Sequence, residues 1–140
     1  MEHRRFQSIV KNKSFRSAVQ IVEYIHWQQN NHVNLVLSRQ LLRSGTSIRA
    51  NVEEALRGQS SKDFISRLAT AAKEVREARY WLRLIRDTQP HNHLELADLV
   101  AQCGELVRML NSIIRTTRRK LAAANSRLQP RTQHSELPDT

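Results

Sequence analysis

Apolar residues recur along this chain at spacings of three and four, the period that lines one face of an α-helix. No stretch alternates apolar and polar residues with the β-branched enrichment of a strand, so no sheet is predicted. Four segments emerge, divided by Gln28-Gln29-Asn30-Asn31-His32, by Gly58-Gln59-Ser60-Ser61 and by Thr88-Gln89-Pro90-His91-Asn92. The first helix is predicted from about Ser14 to Gln28, with Phe15, Ala18, Val19, Val22, Ile25 and His26 along one side. The second runs from about Asn34 to Leu56 and turns Leu37, Leu41, Ser44, Ile48, Val52 and Ala55 inward. The third opens at Ser60, which with Asp63 forms a capping box carrying Asp in place of Glu and sets a carboxylate on the positive end of the helix dipole. Its stripe of Phe64, Leu68, Ala71, Val75, Ala78, Leu82 and Ile85 alternates four and three, which favours left-handed, near-antiparallel packing, and Pro90 ends it. The fourth opens with Asn92 and Glu95 and continues through Leu96, Leu99, Val100, Cys103, Val107, Leu110, Ile114 and Leu121, reaching Ser126 or Leu128.

Connections this short join antiparallel neighbours, so the predicted fold is all-α, an antiparallel up-down-up-down four-helix bundle over residues 14–128. Residues 1–13 are read as a flexible N-terminal segment. The stretch 129–140 is polar and holds two prolines, with nothing to repay the entropy of ordering, and is read as a disordered tail. Leu42 and Leu56, then Ile65, Ala69 and Ala72, then Leu106 and Ile113 fall outside the main stripes. A single bundle interior does not cover them all, and self-association is the natural remedy.

Composition narrows the class. At 140 residues and 39% hydrophobic content, the chain suits one compact domain and excludes two large ones. No apolar run approaches the ~20 residues of a membrane span, and Met1-Glu-His-Arg-Arg-Phe-Gln lacks the apolar core of a secretory signal, so a cytoplasmic address is expected. The lone Cys103 allows neither an internal disulfide nor a cysteine-based zinc cage and reads as a small core residue. No Gly-rich phosphate loop, HExxH or GxSxG turn is present. His91 and His93 sit at a helix start, where polar residues are usual, with no carboxylate or Cys placed beside them. The expectation is therefore a non-enzyme with no cofactor and no metal.

Charge changes the picture most. Lysine and arginine number 23 against 13 acids, a net charge of +10, and the pI is about 11.0. Such a balance makes nucleic acid a plausible partner. Eighteen of the 23 are Arg, which suits bidentate phosphate contacts, although a GC-rich genome enriches Arg codons without any function. Arg76, Arg79, Arg83 and Arg86 form one basic stripe on the third helix, away from the apolar seam. Arg108, Arg115 and Arg119 recur on the fourth, joined by Arg118, Lys120 and Arg127, and residues 115–131 hold six basic and no acidic residues. The second helix adds Arg39, Arg43, Arg49 and Arg57. A charged face is usually a solvated face, but here the usual alternation of signs is missing. The candidate phosphate-contacting set is Arg43, Arg49, Arg76, Arg79, Arg83, Arg86, Arg108, Arg115, Arg118, Arg119 and Lys120. Tyr80 and Trp81 lie beside the stripe, where they could stack on unpaired bases, although packing against another helix or subunit is the favoured reading.

A second cluster is polar yet lies within the helical pattern: Ser44, Asn51, Glu53 and Glu54 on the second helix, and Lys73, Glu74 and Glu77 on the third. No histidine stands on either helix to complete a Glu-x-x-His metal set. Ser44, Asn51, Glu54, Lys73, Glu74 and Glu77 are read as a buried or interfacial polar network that sets helix register. Catalysis would need a metal or a shifted ionisable group near Glu54, Glu74 or Glu77.

Three stretches carry a resemblance: Leu41-Leu-Arg-Ser-Gly-Thr-Ser-Ile-Arg-Ala-Asn-Val-Glu-Glu-Ala55, Ser60-Ser-Lys-Asp-Phe-Ile-Ser-Arg-Leu68 and Ala72-Lys-Glu-Val-Arg-Glu-Ala-Arg-Tyr-Trp-Leu82. Over residues 14–121 the chain resembles the bacterial four-helix-bundle family named for proteins encoded in intervening sequences of 23S ribosomal RNA genes. The pattern falls on Arg43, Ser44, Ser47, Ile48, Ala50, Asn51 and Glu54; Arg49 departs from it, standing where the family favours a small residue or Pro. The resemblance implies a ring-like homo-oligomer, pentameric in relatives. It also implies kinship with accessory proteins of diversity-generating retroelements, basic barrels that bind nucleic acid and a reverse transcriptase. Two function classes follow: an oligomeric nucleic-acid-binding bundle, or a scaffold whose positive face docks an acidic protein.

Overall fold

The computed structural model describes residues 2–29, 35–88 and 93–128. They form α1 (Glu2–Gln29), α2 (Leu35–Arg57), α3 (Ser61–Thr88) and α4 (His93–Leu128), with no strand among the described residues. Each helix packs on its sequence neighbours and α1 closes on α4, so the four form a square bundle. Contacts run antiparallel. Ile21 meets Gly45 and Lys11 meets Arg49 across α1 and α2, while Lys13 and Ser17 meet Glu105 and Gln102 across α1 and α4.

The α2–α3 turn shows how local chemistry sets these boundaries. The Gly58 N–H donates to the Ala55 carbonyl at 3.1 Å, closing α2. Asp63 N–H then donates to Ser60 Oγ at 3.1 Å, the side-chain cap expected of Ser60. A Cβ on Gly58 would lie 2.8 Å from the Asp63 carboxylate, so the residue's lack of a side chain leaves room for the Asp63 side chain beside the turn.

Leu68, Ala71, Val75, Ala78, Leu82 and Ile85 of the α3 stripe are all buried, and Phe64 packs against them half-buried. On α4 the buried face is wider than expected. Leu106, Ile113 and Thr117 are buried beside Leu96, Leu99, Cys103 and Leu110, because α4 has α3 on one flank and α1 on the other. Ala72 is buried too, so Ala72, Leu106 and Ile113 belong to the bundle core and not to surplus surface.

The structure corrects two readings of the N-terminal third. The sequence reads residues 1–13 as flexible, whereas α1 begins at Glu2 and Val10 is 2% exposed in the core. No Gly or Pro interrupts the chain before Ser14, and the apolar contact made by Val10 stabilises the added turns. The inward face of α1 also differs. It is Val10, Ser14, Ser17, Ile21, Tyr24 and Ile25, whereas Phe15 is 56% and Val19 38% exposed and His26 is exposed. Serine can face inward here because the seam with α4 is polar. Ser17 Oγ donates to Gln102 Oε1 at 2.9 Å, Gln102 Nε2 donates to Gln20 Oε1 at 2.7 Å, and Lys13 pairs with Glu105. Small serines also let α1 lie close, with Ser14 Oγ satisfied by the Lys11 carbonyl at 2.9 Å.

Most of the large apolar side chains left exposed stand on α1 and α2, among them Phe6, Phe15, Val19, Trp27, Leu35, Val36 and Leu42, while Tyr80 on α3 and Leu94 and Leu128 near the two ends of α4 are exposed as well. His91, Asn92 and residues 129–140, with the capping and tail readings that rest on them, lie outside the described residues, as does the side chain of His93.

Candidate nucleic-acid interface

Helix geometry sorts the charges of α3. At 100° per residue, Glu74 and Glu77 turn to one flank and Arg76, Arg79 and Arg83 to the other. The acids face α2, where Arg43 Nη1 lies 3.4 Å from Glu74 Oε2 and Nη2 pairs with Glu77. Trp81 Nε1 donates to the same Glu77 oxygen at 3.5 Å. The hydrogen bond from Arg43 holds the Glu77 carboxyl below its ordinary range, helped by Trp81 and by the charge of Lys73. The stability this pairing adds is present above the ordinary carboxylate range and is lost as the pH falls through the lowered value.

Arg43, assigned from sequence to phosphate, is thus spent on carboxylates. Arg49 is engaged as well: Nη2 donates to Glu53 at 2.9 Å, Nη1 donates to the Lys11 carbonyl, and the guanidinium lies 5.1 Å from the Phe15 ring centroid. It straps α2 to α1. The Glu53 carboxyl is held low mainly by that hydrogen bond. Arg86 is half-buried and pairs with Asp87 at 3.0 Å.

The other eight behave differently. Arg76, Arg79, Arg83, Arg108, Arg115, Arg118, Arg119 and Lys120 are all exposed, and among the described residues none of them makes an ion pair. Arg79 lies near enough to Cys103 for its charge to act on the thiol, which places the α3 stripe along the α4 edge of that helix. Arg108 lies over Gly104, where a Cβ would sit 3.6 Å from its Nη1. With α3 and α4 antiparallel and Arg79 level with Cys103, the arginines from Arg83 down to Arg119 trace a basic track about 30 Å long at 1.5 Å per residue. Lys120, at its far end, lines an open cleft of about 530 Å³ together with Gln7, Ser60, Phe64 and Thr117.

The expected register-setting network is not one network. Ser44 is buried but donates within its own helix, to the Gln40 carbonyl at 2.9 Å and the Leu41 carbonyl at 3.2 Å. Asn51 donates to the Ser47 carbonyl at 2.8 Å, again one turn back. Glu54 and Lys73 are exposed. Only Glu74 and Glu77 cross between helices, and their partner is Arg43, a residue whose separation of 31 and 34 positions gives no sequence signal. Among the described residues no three His, Cys, Asp or Glu side chains gather as a metal site would require.

Under the track, the Cys103 thiol is pushed up to about 12 by burial, against which Arg79 pulls only partly. The native protein is expected to leave a thiol reagent unconsumed near neutral pH and to consume one equivalent once unfolded in guanidinium. A rapid native reaction would show that the α3–α4 seam opens.

No helix among the described residues is long and apolar enough to cross a membrane. A family model described as 23S rRNA-intervening sequence protein matches residues 7–112. The chain is also similar to the crystal structure of a protein of unknown function from the S23 ribosomal protein family of Bacteroides thetaiotaomicron. The two are 39% identical, superpose with a TM-score of 0.75, and the match covers 79% of this chain and 98% of that one. No curated protein matches.

Proposed function

The chain belongs to the 23S rRNA-intervening sequence protein family, and from that premise we propose that it is a non-catalytic, homo-oligomeric bundle that binds the phosphate backbone of RNA or DNA through α3 and α4. The observation that carries this reading is the track of seven exposed arginines on α3 and α4, without ion pairs among the described residues. An exposed guanidinium facing only solvent keeps its full field for an incoming phosphate. Arg43 and Arg49, by contrast, have given theirs to carboxylates.

Assembly fits the same layout. In a square bundle the α1–α2 edge lies opposite the α3–α4 edge, and the exposed Phe15, Val19, Leu35 and Leu42 lie on the former. Subunits joined through α1 and α2 would cover apolar surface and leave the basic track wet on each copy. A ring of this kind multiplies a charge of +10 and adds avidity along one strand. Protein purified without nuclease is expected to carry excess nucleic-acid absorbance and to run in solution as a multiple of 16.3 kDa. Nucleic-acid-free protein that recovers a stoichiometric acidic protein from lysate would contradict the phosphate reading, and a monomer would contradict the assembly.

A further inference from the structure

The two neighbouring aromatics of α3 have different fates. Trp81 packs half-buried against the core and donates to Glu77. Tyr80 stays 57% exposed, its ring held edge-on to Trp81 with centroids 5.0 Å apart and planes at 71°. It points almost straight away from the buried stripe of α3. One turn before it stands Arg76 and one turn after it Arg83, both exposed and without ion pairs among the described residues. The Arg76 and Arg83 Cα atoms are about 10.5 Å apart along the axis, with the phenol between them.

We infer that Tyr80 is a stacking platform for an unpaired base, gripped by Arg76 and Arg83 on the flanking phosphates, so that the ligand of the basic track is single-stranded. This rests on the phosphate-binding reading above and names its substrate class. A duplex offers its backbone to arginines but hides the faces of its bases within the stack, so an exposed ring gains nothing from it. An unpaired strand offers both, and every base has a face to stack. The ring is also pre-positioned, being held edge-on to Trp81 two turns inside the C-terminus of a 28-residue helix, so little ordering is needed on binding.

The test compares Tyr80→Ala and Tyr80→Phe with the parent protein by fluorescence anisotropy, using a labelled oligouridylate and a labelled RNA duplex with the same number of phosphates. Tyr80→Ala is expected to weaken oligouridylate binding roughly 5- to 150-fold, the range of one base–aromatic stack, and to leave duplex binding unchanged. Tyr80→Phe, which keeps the ring, is expected to bind both probes as the parent does. Loss by equal factors on both probes, or no loss on either, overturns the stacking role while leaving phosphate binding intact. A change in the solution mass of Tyr80→Ala also overturns it, because the ring would then be a contact to a second copy of this chain. Parent protein that binds neither probe removes the underlying reading as well.

Discussion

Gly45→Leu is expected to destabilise the protein by about 3 kcal/mol, the upper part of the usual range for overpacking a core. A Cβ at Gly45 would already lie 2.8 Å from Ile21 Cδ1 and 3.1 Å from Ile21 Cγ2. Ile21 is fully buried, so it has no solvent-filled space into which to retreat. Leucine is the better helix former by close to 1 kcal/mol, but that gain is smaller than the cost of prising α1 from α2. For a chain of this length the melting temperature should fall by roughly 10 °C, and the urea midpoint should drop with the slope unchanged. Ile21→Ala alone should cost about 2–5 kcal/mol. Because the two substitutions relieve and fill the same space, the double variant should be more stable than the sum of the singles by more than about 1 kcal/mol. Additive losses would mean that α1 does not touch α2 at Gly45.

The second large effect concerns binding. Reversing Arg76, Arg79 and Arg83 together to Glu is expected to weaken RNA or DNA binding on the order of 100-fold at low salt, with the fold intact. All three are exposed, so the change falls on solvent and ligand instead of on the core. A like-for-like control is available on α2. Arg43→Gln should weaken binding less than Arg79→Gln, because the Arg43 guanidinium already lies against Glu74 and Glu77. Its effect should appear instead in the titration of Glu77, whose carboxyl would move back toward its ordinary range. Equal losses from the two neutralisations would mean that nucleic acid responds only to net charge, with no track on α3.

Much of this is legible in the amino-acid sequence. The α3 stripe could be read because seven apolar residues kept one face over six turns, and the opposite flanks of Glu74 and Arg76 follow from helix geometry alone. Ser60 announced its cap. What failed on α1 was the assumption that the more apolar face is the buried one. Taken together, Phe15, Val19 and Val22 are more apolar than Ser14, Ser17 and Ile21, because two of the latter carry hydroxyls. The serine face won because α4 offers Gln102 and Glu105 there and α2 offers a glycine, which are tertiary facts with no local trace. The unbroken run without Gly or Pro from Glu2 to Gln29 was the signal that could have extended α1. Arginine partners were likewise hidden. Arg49 and Glu53, one turn apart, could have been paired from sequence, whereas nothing local separates Arg43, which is paired, from Arg79, which makes no ion pair among the described residues. Tyr80 and Trp81 are adjacent in sequence, and their 100° offset sends one into the α2 groove and the other to solvent.

The most direct test of the central claim is the affinity of the unmodified protein for oligouridylate, measured across a salt series from low to physiological ionic strength. Three phosphate contacts at about 0.7 each predict a straight line of log affinity against log salt that falls with a slope of at least about 2 in magnitude. A flat line would contradict the account, because arginines that meet phosphate must release its counterions.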